Sequence, residues 1–300
     1  MEIRSGELVV RVDPRRGCEI AQVTDRRLGL DLLLEFNAGG AQVYGSTWDQ
    51  WIAAYRGGWQ LLVPNAGEAC TVDGREWGFH GEASTRSWTV TRHSRSVLQA
   101  EVSLDSAPLL IARTVRVVGN RVELADRVGV LGDTEVEFIW GHHPAFGGAL
   151  LEGPPGSVRL VSNAGATQVE GDWKPPDLGA IPLRDGGTAQ LYLYDFPPHA
   201  VAGVRNDTLG LQAELHWHAD DFGCAWVWHE FGGELRPPFL GRVRTCAVEP
   251  MTTYPSMGAA AARAARRSMA RVRPGGAQSR GVRLVVRHDR VGIGQSDIAT

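Results

Sequence analysis

The chain has 300 residues, of which 43% are hydrophobic and 22% charged, with a formal net charge of −3. That balance belongs to a globular chain able to bury a sizeable core; it excludes disorder, collagen and coiled coil. Net negative charge argues against a phosphate-tracking nucleic-acid binder, and no apolar run reaches the roughly 18 to 20 residues of a membrane helix.

Strand signals run through the chain. Glu7–Val12 is a short β-branched run that stops at Asp13-Pro14. Ser87–Thr91, Val97–Leu104 and Leu109–Val117 follow, and Val118-Gly119-Asn120-Arg121 is a tight turn into Val122–Leu124. The pattern returns at Glu135–Trp140, Gln190–Tyr194, Ala200–Val204, Leu211–Trp217, Ala225–Trp228, Thr245–Val248 and Gly281–Val286. Many short strands separated by 37 glycines and 16 prolines predict an all-β antiparallel sandwich or barrel. Two segments read as helix instead. Thr47–Tyr55 has Trp48, Trp51, Ile52 and Tyr55 at helical spacing, and Ala259–Met269 is rich in Ala and Arg. No repeat or linker divides the chain, so residues 1–290 are expected to form one β domain, with 291–300 as a tail.

The N-terminus lacks the charged-then-apolar pattern of a secretory signal. Cys18, Cys70, Cys224 and Cys246 make no CxxC pair, and a reduced, cytoplasmic protein is expected.

Three short constellations carry candidate chemistry. Gly141-His142-His143-Pro144-Ala145-Phe146-Gly147 follows an apolar strand. Its proline is expected to end that strand, leaving a histidine projecting into a loop-lined cleft where it gives or takes a proton near neutral pH. By residue type alone, two polar loop residues at a sheet edge are the preferred reading. Gly78-Phe79-His80-Gly81-Glu82 places glycines around a histidine, which allows close backbone approach, or simply a turn. In Cys246-Ala247-Val248-Glu249-Pro250, Glu249 ends an apolar strand. Facing inward it needs a partner or a role, because a buried carboxylate is costly; facing outward it is an ordinary solvated glutamate.

A metal reading competes. His216-Trp217-His218 sets two rings on one face of a strand, with Asp220, Asp221, His229 and Glu230 close in sequence. A polar strand face accounts for the same residues, and no metal site is assigned. P-loop, Rossmann and GxSxG signatures do not occur in a fitting context.

Taken in order, the constellations resemble the aldose 1-epimerase, or galactose mutarotase-like, family over about residues 5 to 288. Val10–Ile20 is similar to its opening strands, and Val63-Pro64-Asn65-Ala66-Gly67 to its proline-asparagine segment. Phe79-His80-Gly81 before Trp88, His143-Pro144-Ala145-Phe146, Trp226-Val227-Trp228 and Val248-Glu249-Pro250 resemble its later motifs, and Arg273–Gly276 resembles the loop before its last strand. The resemblance implies an antiparallel β-supersandwich with a sugar cleft on one concave face. It also implies a cofactor-independent isomerase that interconverts the anomers of a sugar or sugar derivative.

In that reading Glu249 is the base at the anomeric hydroxyl, His143 the acid at the ring oxygen, and His80 the positioning group. Substrate contacts are expected from Asn65, Asp195, Trp59, Trp77, Trp228 and His142, with Trp48 and Trp51 as further stacking candidates. Two family features are altered. Ala66 and Gly67 stand where many members carry an arginine, with Arg56 or Arg75 as substitutes, and Asp195 is the nearest match to the sugar-binding aspartate. The same acid–base pair would also serve another isomerase, lyase or cyclase reaction, and a non-catalytic carbohydrate-binding protein is the remaining alternative. The expected partner is a small carbohydrate or glycoside, with neither nucleic acid nor membrane, on a monomer or homodimer.

Overall fold

A computed structural model describes residues 1–36, 45–170, 181 and 187–289. The tail expected at 291–300 lies outside them. Two large antiparallel sheets make up the described chain. The 10-stranded sheet runs Glu2–Arg4, Leu8–Asp13, Glu19–Asp25, Gly58–Leu62, Gly141–Gly147, Arg244–Met251, Cys224–Phe231, Thr188–Tyr194 and Ala166–Glu170, with Leu30–Asp31 beside the third of these. The 8-stranded sheet runs Val158–Ser162, His199–Asn206, Leu211–His218, Ala277–His288, Arg121–Val130, Leu109–Val118, Val97–Ser103 and Thr89–His93. This is the expected all-β sandwich.

Its origin is the period-2 pattern. In Leu109–Val118 buried residues alternate with more exposed ones, so Leu109, Ile111, Val115 and Val117 face the opposing sheet. They join Trp59, Phe146 and Val248 of the 10-stranded sheet in one core. The central strands of that larger sheet break the alternation. Gly141–Gly147 is buried at every position, because its second face is also covered. Trp51, Tyr55, Phe79 and Phe239 pack there against Ala145 and Ala247 as a smaller apolar cluster.

The expected helix at Thr47–Tyr55 is present as α1 (Trp48–Ala54). Thr47 caps it: Gln50 N donates to Thr47 Oγ1 at 3.3 Å, and Thr47 N donates to Gln50 Oε1 at 3.5 Å. The second helix is shorter than expected. α2 spans Ala259–Ala264 only. Arg266 then takes a φ of 54°, a left-handed conformation that stops a helix, and Ala270–Val272 leaves as a strand paired with Val136–Phe138.

The expectation that Pro144 ends a strand is corrected: His142, His143 and Pro144 lie inside the Gly141–Gly147 strand. On one side His143 pairs with Gln60 and Pro144 with Trp59. On the other, pairing to the Arg244–Met251 strand occurs at Gly141↔Met251 and resumes at Ala145↔Ala247 in the same register. The proline, which has no N–H to donate, falls in that gap.

Candidate active site

Strand alternation separates the two histidines. His142 points into the core between the sheets, and His143 points to the covered face. The unchanged register puts His143 directly across from Glu249, and Glu249 in turn pairs with Trp226 on the next strand. His143 Nε2 lies 3.6 Å from Glu249 Oε1. Both side chains are nearly sealed, at 3% and 2% exposure. Glu249 Oε2 and His143 Nδ1 have no hydrogen-bond partner in the protein.

His80 arrives from the other side of the same space. Its backbone takes a φ of 57°, a left-handed conformation that is uncommon for a non-glycine residue. Gly81 follows at a φ of 74°, where a Cβ would stand 2.5 Å from Val63 O, so only glycine fits. Gly67 N donates to His80 Nδ1 at 3.2 Å. A neutral ring that accepts at Nδ1 carries its proton on Nε2. The His80 and His143 rings lie 5.5 Å apart, and Trp51 sits 4.7 Å from His80.

These groups line one cavity of about 300 Å³, a volume at the lower end of the small-molecule range. Trp48, Trp51 and Ile52 of α1 wall it, with Phe79, Trp226, Trp228 and Phe239. Its polar lining comes from Glu68, Thr188, Gln190, Glu230, Glu234 and Ser256. A hollow of about 620 Å³ lies elsewhere, beside Arg11, Arg15 and Arg16, but those arginines are already paired with Glu35, Asp13 and Glu19.

Burial sets the protonation preferences. It pushes the Glu249 carboxyl well above the usual carboxylate range and the His143 imidazole down to about 4. It also lowers His80, and proximity to His143 adds to the effect. Burial thus favours the uncharged forms of these side chains. The arrangement offers one proton donor and one proton acceptor on facing strands.

The other expected contacts fall elsewhere. Asn65 is 0% exposed and ties the backbone together: its Nδ2 donates to Glu68 O and Gly78 O, and its Oδ1 accepts from Ala259 N. It shapes the cavity wall without lining it. Trp59 is 0% exposed on the core face, donating to His142 Nδ1 at 3.2 Å. Trp77 donates to Ser106 O, away from the cavity. Asp195 is exposed, directly after the strand Thr188–Tyr194, with a φ of 56°. Arg56 lines the 620 Å³ hollow and Arg75 reaches Asp105 O, so neither stands in for the missing arginine. Trp228, Trp48 and Trp51 do line the cavity.

His142 is pushed down to about 3 by burial and so stays neutral. It accepts from Trp59 at Nδ1, and its Nε2 lies 3.6 Å from Asp126 Oδ2. The metal reading does not assemble. His216 pairs with Glu214 and His218 with Asp220 on the 8-stranded sheet, while His229 and Glu230 belong to the other sheet. Among the described residues no three His, Cys, Asp or Glu side chains are grouped to hold a metal ion.

Trp226, Gln190, Thr188 and Phe239 were not singled out as site residues from sequence, and Glu230 was named only in the metal reading. Trp226 and Trp228 are two apart on one strand, and Glu230 follows by the same step, so period-2 alternation from Trp228 would have reached both. Phe239 lies in a loop and carries no such signal.

No protein-family model and no curated protein matches the chain. Solved structures do. The Slr1438 protein of Synechocystis sp. PCC 6803 is 17% identical, with a TM-score of 0.74 over 96% of each chain. A putative aldose 1-epimerase of Klebsiella pneumoniae is 14% identical, with a TM-score of 0.71 over 94% of this chain and 77% of that one. A galactose mutarotase related enzyme of Lactobacillus acidophilus is 15% identical, with a TM-score of 0.70 over 96% and 97%. No described helix is long and apolar enough to cross a membrane. With the antiparallel all-β architecture and these likenesses in agreement, the chain has the galactose mutarotase-like fold.

Proposed function

We propose that this protein is an aldose 1-epimerase-like isomerase that interconverts the anomers of a sugar or sugar derivative. The observation carrying this reading is the opposed His143–Glu249 pair, 3.6 Å apart on the wall of an aromatic cavity. Anomer exchange needs one group to take the proton of the anomeric hydroxyl and another to protonate the ring oxygen. Glu249 takes the first role and His143 the second. The ring opens, the C1–C2 bond rotates, and closure on the other carbonyl face returns both protons.

The forward step uses Glu249 as carboxylate and His143 as imidazolium. That form holds the same single proton as the neutral pair favoured by burial. Bound hydroxyl groups replace lost solvation and stabilise the charged form without any net change in protonation. The Nε2–H of His80 supplies a fixed donor for the sugar, and the faces of Trp226 and Trp228 pack on its apolar side. Each proton-transfer group contributes about 10²–10⁴ in rate.

Saturation-transfer NMR between the α and β signals of a panel of free aldoses tests the reading. Accelerated exchange that disappears in Glu249→Gln supports it. No acceleration with any sugar assigns the pair to another reaction or to none.

A further inference from the structure

We infer that the cavity is built for a 6-deoxyhexose, a sugar whose C5 carries a methyl group in place of a hydroxymethyl, phosphate-bearing or carboxylate substituent. This rests on the reading of the cavity as an anomer-exchange site and adds the class of sugar.

The ring oxygen fixes where that substituent falls. His143 protonates the ring oxygen, and C5 is bonded to the same atom. The carbon attached to C5 therefore lies two bonds from the oxygen that meets His143, among the groups around that imidazole. Those groups are rings. The centres of Trp51, Trp228 and His80 lie 5.9, 5.8 and 5.5 Å from that of His143. Tyr55, 5.8 Å away and 1% exposed, backs the same wall. The sheet next to His143 and Glu249 offers only the methyl groups of Ala145 and Ala247, packed in the same apolar cluster. The indole nitrogen of Trp51 is engaged by Ser84 Oγ at 3.2 Å. No lysine or arginine lines the cavity among the described residues, so a phosphate or carboxylate there would lack a counter-charge.

The polar lining leads to the same sugar. Its Thr188–Glu230–Glu234 end is satisfied within the protein. Thr188 Oγ1 donates to His229 O at 3.0 Å, and Glu230 accepts from the backbone of Gly232, Gly233 and Glu234. Arg236 binds Glu234 through two nitrogens, at 3.0 and 2.7 Å. Gln190, Ser256 and Glu68 remain, beside His80, His143 and Glu249. Gln190 Nε2 reaches Leu191 O at 3.5 Å, a long contact that a bound hydroxyl can replace. A 6-deoxyhexose gives its anomeric hydroxyl to Glu249 and its ring oxygen to His143. Its secondary hydroxyls take Gln190, Ser256, Glu68 and the Nε2–H of His80. A hydroxyl on the sixth carbon would sit against rings without a partner, which is unfavourable, whereas a methyl gains by burial there.

The experiment measures affinity, by intrinsic tryptophan fluorescence, within three matched pairs: D-fucose with D-galactose, 6-deoxy-D-glucose with D-glucose, and L-rhamnose with L-mannose. Anomer exchange is followed in parallel on the same sugars. In at least one pair the deoxy sugar is expected to bind about tenfold or more tightly than its parent, the scale on which an apolar pocket discriminates against an added hydroxyl. Trp228→Gln sets an amide beside the C5 substituent and is expected to shrink that ratio. Trp228→Phe keeps an apolar ring there and is expected to preserve it.

Less than tenfold preference in every pair overturns the inference, as does a preference that Trp228→Gln leaves undiminished. Exchange of deoxy and parent sugars alike, with no preference in binding, overturns the inference and leaves the proposed function standing. Deoxy-selective binding without exchange of any sugar upholds the inference and overturns the proposed function.

Discussion

His143 and Glu249 face each other across a gap in an otherwise regular antiparallel ladder, between Gly141↔Met251 and Ala145↔Ala247. Pro144 sits in that gap, where it has no N–H to leave unpaired. One backbone feature therefore opens the ladder and presents two titratable side chains to the same cavity. Replacing Glu249 by Gln keeps the shape and removes the proton acceptor. Replacing His143 by Asn removes the partner. Each change is expected to lower the anomer-exchange rate about 10²–10⁴-fold while the circular dichroism spectrum stays that of the parent. Retention of more than a tenth of the rate in either variant would remove that residue from the chemistry.

The acid limb of activity follows from the same pair. Burial holds His143 down to about 4 and Glu249 well above the usual carboxyl value. The acid side is therefore set by His143. Below about pH 4 a second proton enters and no acceptor remains. The rate should then fall tenfold per pH unit. An acid limb centred near 6.5, the value of an unperturbed imidazole, would contradict the burial of His143.

Stability carries the opposite signature of the same burial. The folded state keeps the Glu249 proton at pH values where the unfolded chain has released it. The unfolded state then binds fewer protons, so Glu249 makes stability fall as pH rises above about 4.3. Glutamine has no such dependence. The stability of Glu249→Gln relative to the parent is expected to be greater at pH 8 than at pH 5. His143 acts on the acid side: its folded value is lowered, so the unfolded chain binds the proton first and stability falls from about pH 6.5 toward 4. Urea midpoints of parent and variant at pH 5, 6.5 and 8 measure both slopes.

The tryptophans show what the sequence could and could not convey. Trp59 was expected among the sugar contacts because glycines precede it. The strand Gly58–Leu62 is central and turns Trp59 into the core, against His142. Trp228 lies on a strand whose even-numbered residues reach the cavity, and it lines that cavity. Strand identity was legible because β-branched periodicity is local. Which face of a doubly covered strand meets the cavity was not, since both faces are apolar. Asp195 is placed outside the cavity lining for a related reason: a carboxylate at a strand end is equally at home in solvent. His142 and His143 are adjacent and chemically identical; only the resemblance of His143-Pro144-Ala145-Phe146 to a family motif favoured His143 in the sequence, and the register then shows it on the cavity face.

That difference between the tryptophans is measurable. Trp228→Ala is expected to weaken sugar binding severalfold or more, consistent with the loss of an aromatic face, and to cost less stability than a core truncation. Trp59→Ala removes a fully buried indole and is expected to cost about 3–5 kcal/mol. Parallel urea titrations and sugar titrations separate the two. A stability loss at Trp228 as large as that at Trp59 would place Trp228 in the core rather than on the cavity wall.

Behind the cavity, Arg113 and Asp126 form a bidentate pair at 2.8 Å in each arm, both 0% exposed at the side chain. Arg113 also donates to Cys18 O at 3.2 Å, which links the 8-stranded sheet to the chain of the other. His142 approaches the same aspartate from the 10-stranded sheet. Breaking a buried pair by removing one charge strands the other, whereas replacing both with apolar groups of similar volume removes the desolvation cost as well. Asp126→Asn is therefore expected to destabilise the fold by about 3–5 kcal/mol, because the guanidinium stays buried beside a neutral amide. The double change Arg113→Met with Asp126→Leu is expected to cost less than the single one. A urea titration of the three proteins, read by midpoint at constant slope, decides the matter. A double variant no more stable than Asp126→Asn would show that the pair, with its bond to Cys18 O, contributes more than it costs to bury.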